Sequence, residues 1–497
     1  MMQFSYAELL LNVAPEAILV LAALAVLVID HAFLRNDPLP NRFLVCSGFA
    51  CAGCALSILW LMQSGGSTRL LEDMLVNDAL TRWVQAALVA LTALTILVST
   101  GSAFTRHVGE YIALILLGTT GMMFLAGSEE ILTIFVALEL TSLALYVLTA
   151  FNKRNARSAE AALKYFLFGG MSAAFLLFGL SLIYGLTGET SLVEIAKKLQ
   201  GQALDPLLAL ALVMTVIGFG FKVAAVPFHL WAPDAYEGAP APSAALIASG
   251  SKLASFFVLS KVMVVGFDGA AGSGAWRHFT PGWAMVIAVV AAFSMVMGNL
   301  LAIAQQSVRR LLAYSAVAHA GYILLGVLAQ SGQGTAAIVY YAATYGLAVI
   351  GAFAVVAVLE RDGGGSQLND FAGLCRREPL LAFCLLIFIL SLAGIPPLAG
   401  FFGKFYLFVA AVQQDSKGLG LLWLVILAIA TSCISLYYYL RILKQVYVVE
   451  DTGDRKPVHA ELSVRLAIGV LALGVVILGC VPGLFVERLV MASAGAH

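Results

Sequence analysis

The chain has 497 residues, 61% of them hydrophobic and 11% charged, with no net charge and a mean hydropathy of +0.95. Soluble domains carry about 25% charged residues, so the composition excludes a large water-soluble fold. Without a basic excess it also gives no footing for nucleic acid. Apolar runs recur from end to end, and the short alternating segments of a membrane barrel are absent. The chain therefore reads as an all-α polytopic membrane protein.

Crossing a bilayer takes about 20 apolar residues, and fourteen segments meet that length. The opening stretch MMQFSYAELLLNVAPEAILVLAALAVLVIDHAF lacks a basic leader and a small-residue cleavage site, so it reads as helix 1 (9–33) rather than a removed signal. Helix 2 (43–63) carries Cys51 and Cys54 as a CxxC, but no second pair accompanies it. These cysteines read as small packing residues. Helices 3 to 6 follow at 79–104, 109–127, 130–151 and 161–186, and helices 7 to 10 at 206–228, 242–266, 282–304 and 310–330. Helices 11 to 14 occupy 335–359, 380–410, 419–448 and 464–490. No haem, iron–sulfur, P-loop or dinucleotide signature appears.

Basic residues set the expected orientation. Loops after odd-numbered helices, with their helix ends, hold sixteen: Arg35, Arg42, Arg106, Lys153, Arg154, Arg157, Arg309, Arg310, Arg361, Arg376, Arg377, Arg441, Lys444, Arg455, Lys456 and Arg465. Loops after even-numbered helices, with the tail, hold seven: Arg69, Arg82, Lys197, Lys198, Arg277, Lys417 and Arg488. The odd loops are expected in the cytoplasm, with both termini on the periplasmic side of a bacterial inner membrane. An even number of helices agrees with that.

A shift of about 175 residues brings out a weak repeat. AALKYF (161–166) aligns with AAIVYY (336–341), LVEIA (192–196) with LNDFA (368–372), and GFGFK (218–222) roughly with GFFGK (400–404). The offset spans five helices, an odd number, so the two units are inverted relative to each other, as in transporters. Each unit also has a helix broken by proline: Pro227 in helix 7, Pro396 and Pro397 in helix 12. The expected division is 1–105 (helices 1–3), 106–270 (helices 4–8), 280–450 (helices 9–13) and 460–497 (helix 14).

Ionisable residues inside the helices carry the functional argument, since each costs at least about 2.5–3.5 kcal/mol at a helix centre. Glu139 lies in the middle of helix 5 and has no cation close by in its own helix. Lys164 in helix 6 has Glu160 one turn before it. Lys222 precedes the Pro227 break, Lys252 lies near the centre of helix 8, and Lys404 follows the helix 12 break. Burial favours a neutral amine and a nearby carboxylate favours a charged one, so an amine between the two can exchange its proton. His229 and His319 add groups that titrate near neutrality when unperturbed. The blander readings are a structural ion pair for Glu139, a solvated pair for Lys164 with Glu160, a cap for His229 and a core histidine for His319. Lys261 is expected to snorkel to the surface, and Asp234 and Glu237 to make loop or partner contacts. Thr141, Ser142, Ser249, Ser251, Tyr314 and Ser315 are candidate hydroxyls between these charges.

VPFHLWAPDAYEGAPAP, SAEAALKYFLFGGMSAAFLLFGLSLIYG and GIPPLAGFFGKFYLF resemble the antiporter-like membrane subunits of respiratory complex I, the proton-pumping NADH:quinone oxidoreductase. The subunit N type, equivalent to mitochondrial subunit 2, is the most similar, and the resemblance covers nearly the whole chain. It implies fourteen helices with two inverted five-helix repeats, helices 4–8 and 9–13, and broken helices 7 and 12. It implies a helix 5 to helix 7 pair at Glu139 and Lys222, a connecting lysine at Lys252 and a second-repeat lysine at Lys404. Lys164, His229 and His319 fall on further polar positions of the family. No cofactor is implied in this chain; NAD, FMN, iron–sulfur clusters and quinone belong to partner subunits. The implied partners are the small membrane subunits, the M-type antiporter-like subunit and lipids. Related readings are a subunit of a multisubunit cation/proton antiporter or of a membrane-bound hydrogenase. A purely structural scaffold is a third, and it leaves the mid-membrane charges without a role.

Overall fold

The computed structural model describes residues 6–494 apart from 71–73, 362, 415–419 and 451–459. Lys417, Arg455 and Lys456 of the charge bias lie outside the described residues. Among those described, thirteen helices are long and apolar enough to cross a bilayer. In chain order, spans 1 to 7 are Ala14–Ala32, Leu39–Gln63, Ala79–Ser99, Val108–Gly127, Ile131–Thr149, Ala156–Thr187 and Pro206–Val223. Spans 8 to 11 are Ala241–Gly266, Trp283–Ile303, Val308–Leu328 and Gly332–Arg361; span 13 is Leu422–Tyr447 and span 14 is Leu462–Cys480. Span 12 consists of two shorter helices, Pro379–Ala393 and Ala399–Gln413. A small antiparallel hairpin, Thr68–Leu70 with Leu75–Asn77, lies between spans 2 and 3.

Polar residues fix the ends of the spans. The Asp78 carboxylate accepts from the Thr81 amide at 2.6 Å, Glu130 from Thr133 at 2.8 Å and Asp205 from Leu208 at 2.7 Å. Each satisfies a donor that the first helical turn leaves open. The apolar windows of spans 8, 10 and 11 are 100%, 94% and 89% buried, whereas those of spans 1, 2, 6, 13 and 14 are at most 39% buried. Spans 8, 10 and 11 thus form the centre of the bundle and the others its rim. Spans 9 and 10 approach closely because Gly298 faces the Ala318 backbone and Gly321 faces Ala291 and Met295.

Both proline breaks are present, with details the sequence left out. Span 7 already ends at Val223; Ala224 takes a left-handed conformation (φ 58°), and Pro227 lies in the turn beyond. A short helix, Trp231–Gly238, follows. In span 12 the turn is made by left-handed Gly394 (φ 87°), and the Gly400 amide donates to the Ser391 hydroxyl across the break at 3.1 Å. Span 8, expected to be continuous, is interrupted at Ser249 (φ −112°, ψ −83°) and finishes in a π-helical turn, Val262–Gly266. Cys51 and Cys54 sit in span 2 as free cysteines, in keeping with a packing role.

Candidate functional site: a line of buried charges

The site begins where span 5 meets the end of span 7. Lys222, buried in the last turn of span 7, donates to the Ser142 hydroxyl and lies 3.6 Å from the Glu139 carboxylate. Ser142 and Glu139 are three residues apart and share a face of span 5. At 3.6 Å the two charges attract without a direct hydrogen bond. The Glu139 side chain is 27% exposed, on a face that also shows Leu132, Val136, Leu140 and Leu143. This end of the line therefore reaches the lateral surface of the chain.

Lys252 is buried at the centre of the bundle, just past the Ser249 interruption. Its ammonium donates to the Ala316 carbonyl of span 10 at 2.6 Å and lies 5.8 Å from the centre of the Tyr345 ring. The same Tyr345 ring packs on His319, 4.9 Å between centroids. Both imidazole nitrogens of His319 are bonded to tyrosine hydroxyls, Nδ1 to Tyr341 at 2.5 Å and Nε2 to Tyr439 at 3.0 Å. Tyr439 in turn meets the Ser315 hydroxyl at 2.5 Å. On the other side of His319, the Tyr322 ring lies 5.7 Å away and carries the Lys404 ammonium 5.2 Å from its centre. Lys252, His319 and Lys404 are thus linked through the rings of Tyr345 and Tyr322.

The break in span 12 explains where Lys404 sits. A helix leaves its last carbonyls without partners. Lys404 donates to two of them, Leu392 at 3.3 Å and Ala393 at 3.0 Å, and to the Ser432 hydroxyl at 2.8 Å. A cation at a helix C-terminus also meets the negative end of the helix dipole. The broken helix therefore builds its own ammonium site.

The structure pairs Glu139 with Lys222 and, separately, groups Lys252, His319 and Lys404 around shared rings, but it does not gather every residue read from the sequence. Lys164 has a 41% exposed side chain and pairs with Glu160 at 2.7 Å and Asp234 at 2.9 Å. His229 is buried beyond the span 7 break, edge-on to Tyr314 at 6.3 Å, and its Nδ1 has no hydrogen-bond partner. Lys261 does not snorkel. It is buried, pairs with Glu129 at 3.4 Å and caps span 4 by donating to the Ala126 carbonyl at 3.1 Å. Asp234 and Glu237 are ion-pair partners of Arg310, at 2.8 and 3.0 Å. The sequence reading missed Tyr322, Tyr341, Tyr345 and Tyr439. The runs YY at 340–341 and YYY at 437–439 inside apolar spans were the available signal. Among the described residues, no group of three or more His, Cys, Asp or Glu is placed to hold a metal ion.

Buried amines and an imidazole, strung between hydroxyls and helix breaks across an inner layer of spans, define an ion-translocating membrane protein of the antiporter type. The comparisons agree. Residues 128–435 match the family described as NADH:quinone oxidoreductase/Mrp antiporter, TM. The chain is 51% identical over 494 residues to NADH-quinone oxidoreductase subunit N 2 of Acidobacterium capsulatum, covering 98% of this chain and 99% of that one. It is 40% identical over 449 residues to NAD(P)H-quinone oxidoreductase subunit 2 of a Synechocystis species, covering 88% and 82%. A chain of respiratory complex I from Thermus thermophilus superposes with a TM-score of 0.78 at 32% identity, covering 96% of this chain and 99% of that one. A chain of the Mrp complex from a Dietzia species shares the fold at 21% identity, with a TM-score of 0.81 and 98% and 97% coverage. The chain belongs to the NADH:quinone oxidoreductase/Mrp antiporter membrane family, in its subunit N branch.

Proposed function

We propose that this chain is the proton-translocating subunit N of an NADH:quinone oxidoreductase. NADH oxidation and quinone reduction take place in partner subunits, with their NAD, FMN, iron–sulfur clusters and quinone. Glu139, Lys222, Lys252, His319 and Lys404 pass protons along the buried line, His229 serves at the span 7 break, and Lys164 contributes from the odd-loop side. The observation that carries this reading is three lysines, on spans 7, 8 and 12, each buried and held by hydroxyls or carbonyls rather than by a tight salt bridge. Such amines have acceptors in either charge state, as a relay needs. The partly open Glu139 gives a neighbouring membrane subunit access to the first pair. The units 106–270 and 280–450 act as inverted halves, each with its own break. The setting we infer is a bacterial inner membrane; the sixteen-to-seven bias in basic residues supports the orientation, with odd loops cytoplasmic and both termini periplasmic.

The test is NADH-driven proton pumping in membranes that carry Lys222→Met or Glu139→Gln. Both variants are expected to assemble with flavin and iron–sulfur subunits in place and to lose most pumping and coupled quinone reduction. Normal pumping in both would overturn the mechanism. The family match also covers cation/proton antiporters, so a second reading is a subunit of such an antiporter, free of redox partners. Purification separates the two: reproducible absence of flavin and iron–sulfur subunits would favour the antiporter.

A further inference from the structure

The short helix Trp231–Gly238 does not cross the bilayer, yet spans from both repeats hold it. Asp234 receives Lys164 of span 6 at 2.9 Å on one carboxylate oxygen and Arg310 of span 10 at 2.8 Å on the other. Arg310 also reaches Glu237 at 3.0 Å. Its neighbour Arg309 is buried, donates to the Glu237 backbone carbonyl at 2.6 Å and lies 3.2 Å from Glu360 of span 11. A ladder of charges thus runs from span 6 through the short helix to spans 10 and 11.

The other end of the helix is tied to the proton site. Trp231 stacks flat on Tyr165, 4.2 Å between centroids and 5° between planes. Its indole N–H donates to the Phe221 carbonyl at 3.0 Å, one residue before Lys222. Tyr165 meets Tyr146 of span 5 edge-on at 4.7 Å, two turns beyond Glu139. Rigid rings therefore connect the short helix to both elements that carry the Glu139–Lys222 pair. Since that pair stands at 3.6 Å, a shift of about 1 Å separates a loose attraction from a direct charge-assisted hydrogen bond.

We propose that Asp234 is a positioning residue for proton transfer: shared between Lys164 of the first repeat and Arg310 of the second, it sets the place of the 231–238 helix and, through Trp231, the distance from Lys222 to Glu139. This rests on the proton-translocating reading above. Asp234 is not itself a carrier. Burial pulls its carboxyl up, but the hydrogen bonds and charges of Lys164 and Arg310 outweigh that and hold it below the usual carboxylate range, so it stays ionised at neutral pH. The Lys164–Glu160 arm is exposed and screened, which leaves Asp234 as the part-buried link between the repeats.

The experiment compares Asp234→Asn, Arg310→Gln and the double variant with Lys222→Met in membranes holding the assembled complex. Protons pumped per NADH oxidised and the pH profile of pumping are measured. Asp234→Asn is expected to assemble but to lose pumping per NADH several-fold, with a displaced pH profile. The double variant is expected to be no worse than Asp234→Asn, because the two residues act as one unit. Arg310→Lys, which keeps a cation for Asp234, is expected to retain more of the native ratio than Arg310→Gln. A purely structural role would lower the amount of complex and leave protons per NADH unchanged; that result overturns the proposal. If Asp234→Asn does not assemble, Trp231→Phe keeps a ring but removes the N–H donor, and an unchanged ratio there overturns it equally. Loss of pumping in Lys222→Met with native pumping in Asp234→Asn refutes the positioning role and leaves the translocation reading standing. Native pumping in Lys222→Met removes the translocation reading and the positioning role with it.

Discussion

Lys404→Arg separates a lysine that must carry charge from one that must release a proton. Lys404→Met is a poor probe, because it leaves the Leu392 and Ala393 carbonyls without their donor. Each unsatisfied buried acceptor costs about 1–3 kcal/mol, so lost pumping and lost structure would arrive together. Arginine still donates to carbonyls and to Ser432, and it keeps the cation at the helix end. What it cannot do is give up its proton. The ordinary values for lysine and arginine differ by about 2–3 units, and one unit corresponds to about 1.4 kcal/mol. The same burial acts on both side chains, so the gap carries over to the site to a first approximation. The neutral form of arginine is then about 100- to 1,000-fold rarer, equivalent to about 3–4 kcal/mol. The assay is quenching of a pH-sensitive dye in inverted membrane vesicles driven by NADH, alongside the thermal stability of the purified complex. The expected outcome is near-native stability with pumping reduced at least tenfold. Native pumping by the arginine variant would show that Lys404 is needed only as a fixed charge, and the relay argument would fail at this position.

Two further outcomes follow from the geometry. Removing one member of the buried Glu129–Lys261 pair, by Lys261→Met or Glu129→Gln, leaves a charge uncompensated and should destabilise the chain by about 3–5 kcal/mol. The double variant should recover much of the melting temperature; a double variant no more stable than the singles would refute the pairing. Tyr341→Phe or Tyr439→Phe removes one of the two hydroxyls on His319. The two together should reduce pumping more than the product of the single losses, measured in the same vesicles, because either hydroxyl alone still leaves His319 one partner.

The spans and both breaks were legible because they follow from residue type alone: apolar length, and proline where a backbone donor is needed. Lys222, Lys252 and Lys404 stood out because charge inside hydrocarbon is costly wherever it points. The aromatic frame was not legible, because Tyr322 and Tyr345 look like ordinary apolar packing until the rotation of their helices is known. Spans 8, 10 and 11 are buried on nearly every side, so no outward-facing stripe fixes that rotation. Lys164 shows the same limit. Its neighbour Glu160 is visible four residues away, but Asp234 is seventy residues distant in the chain and meets it only through the fold. The Ser249 interruption carried no proline or glycine on its own residue. Lys261 was misread as snorkelling because its partner Glu129 is far away in the chain and meets it only through the fold.

The placing of His319 has a consequence for how a cycle ends. An imidazole that takes a proton on one nitrogen and releases it from the other finishes in the opposite tautomer. In open water the ring would simply flip back. Here the ring lies close to parallel with Tyr341, at 18°, and Tyr345 packs against it, so rotation would have to displace two aromatic side chains. Rotation of the Tyr341 or Tyr439 hydroxyl changes only which partner donates and leaves the ring proton on its nitrogen. A ring that stays fixed regains its first tautomer only by passing a proton back the way it came, so repeated transfer in one direction needs the packing of Tyr341 and Tyr345 to yield. In the relay proposed above, His319 is therefore the step at which turnover depends on aromatic packing rather than on hydroxyl rotation.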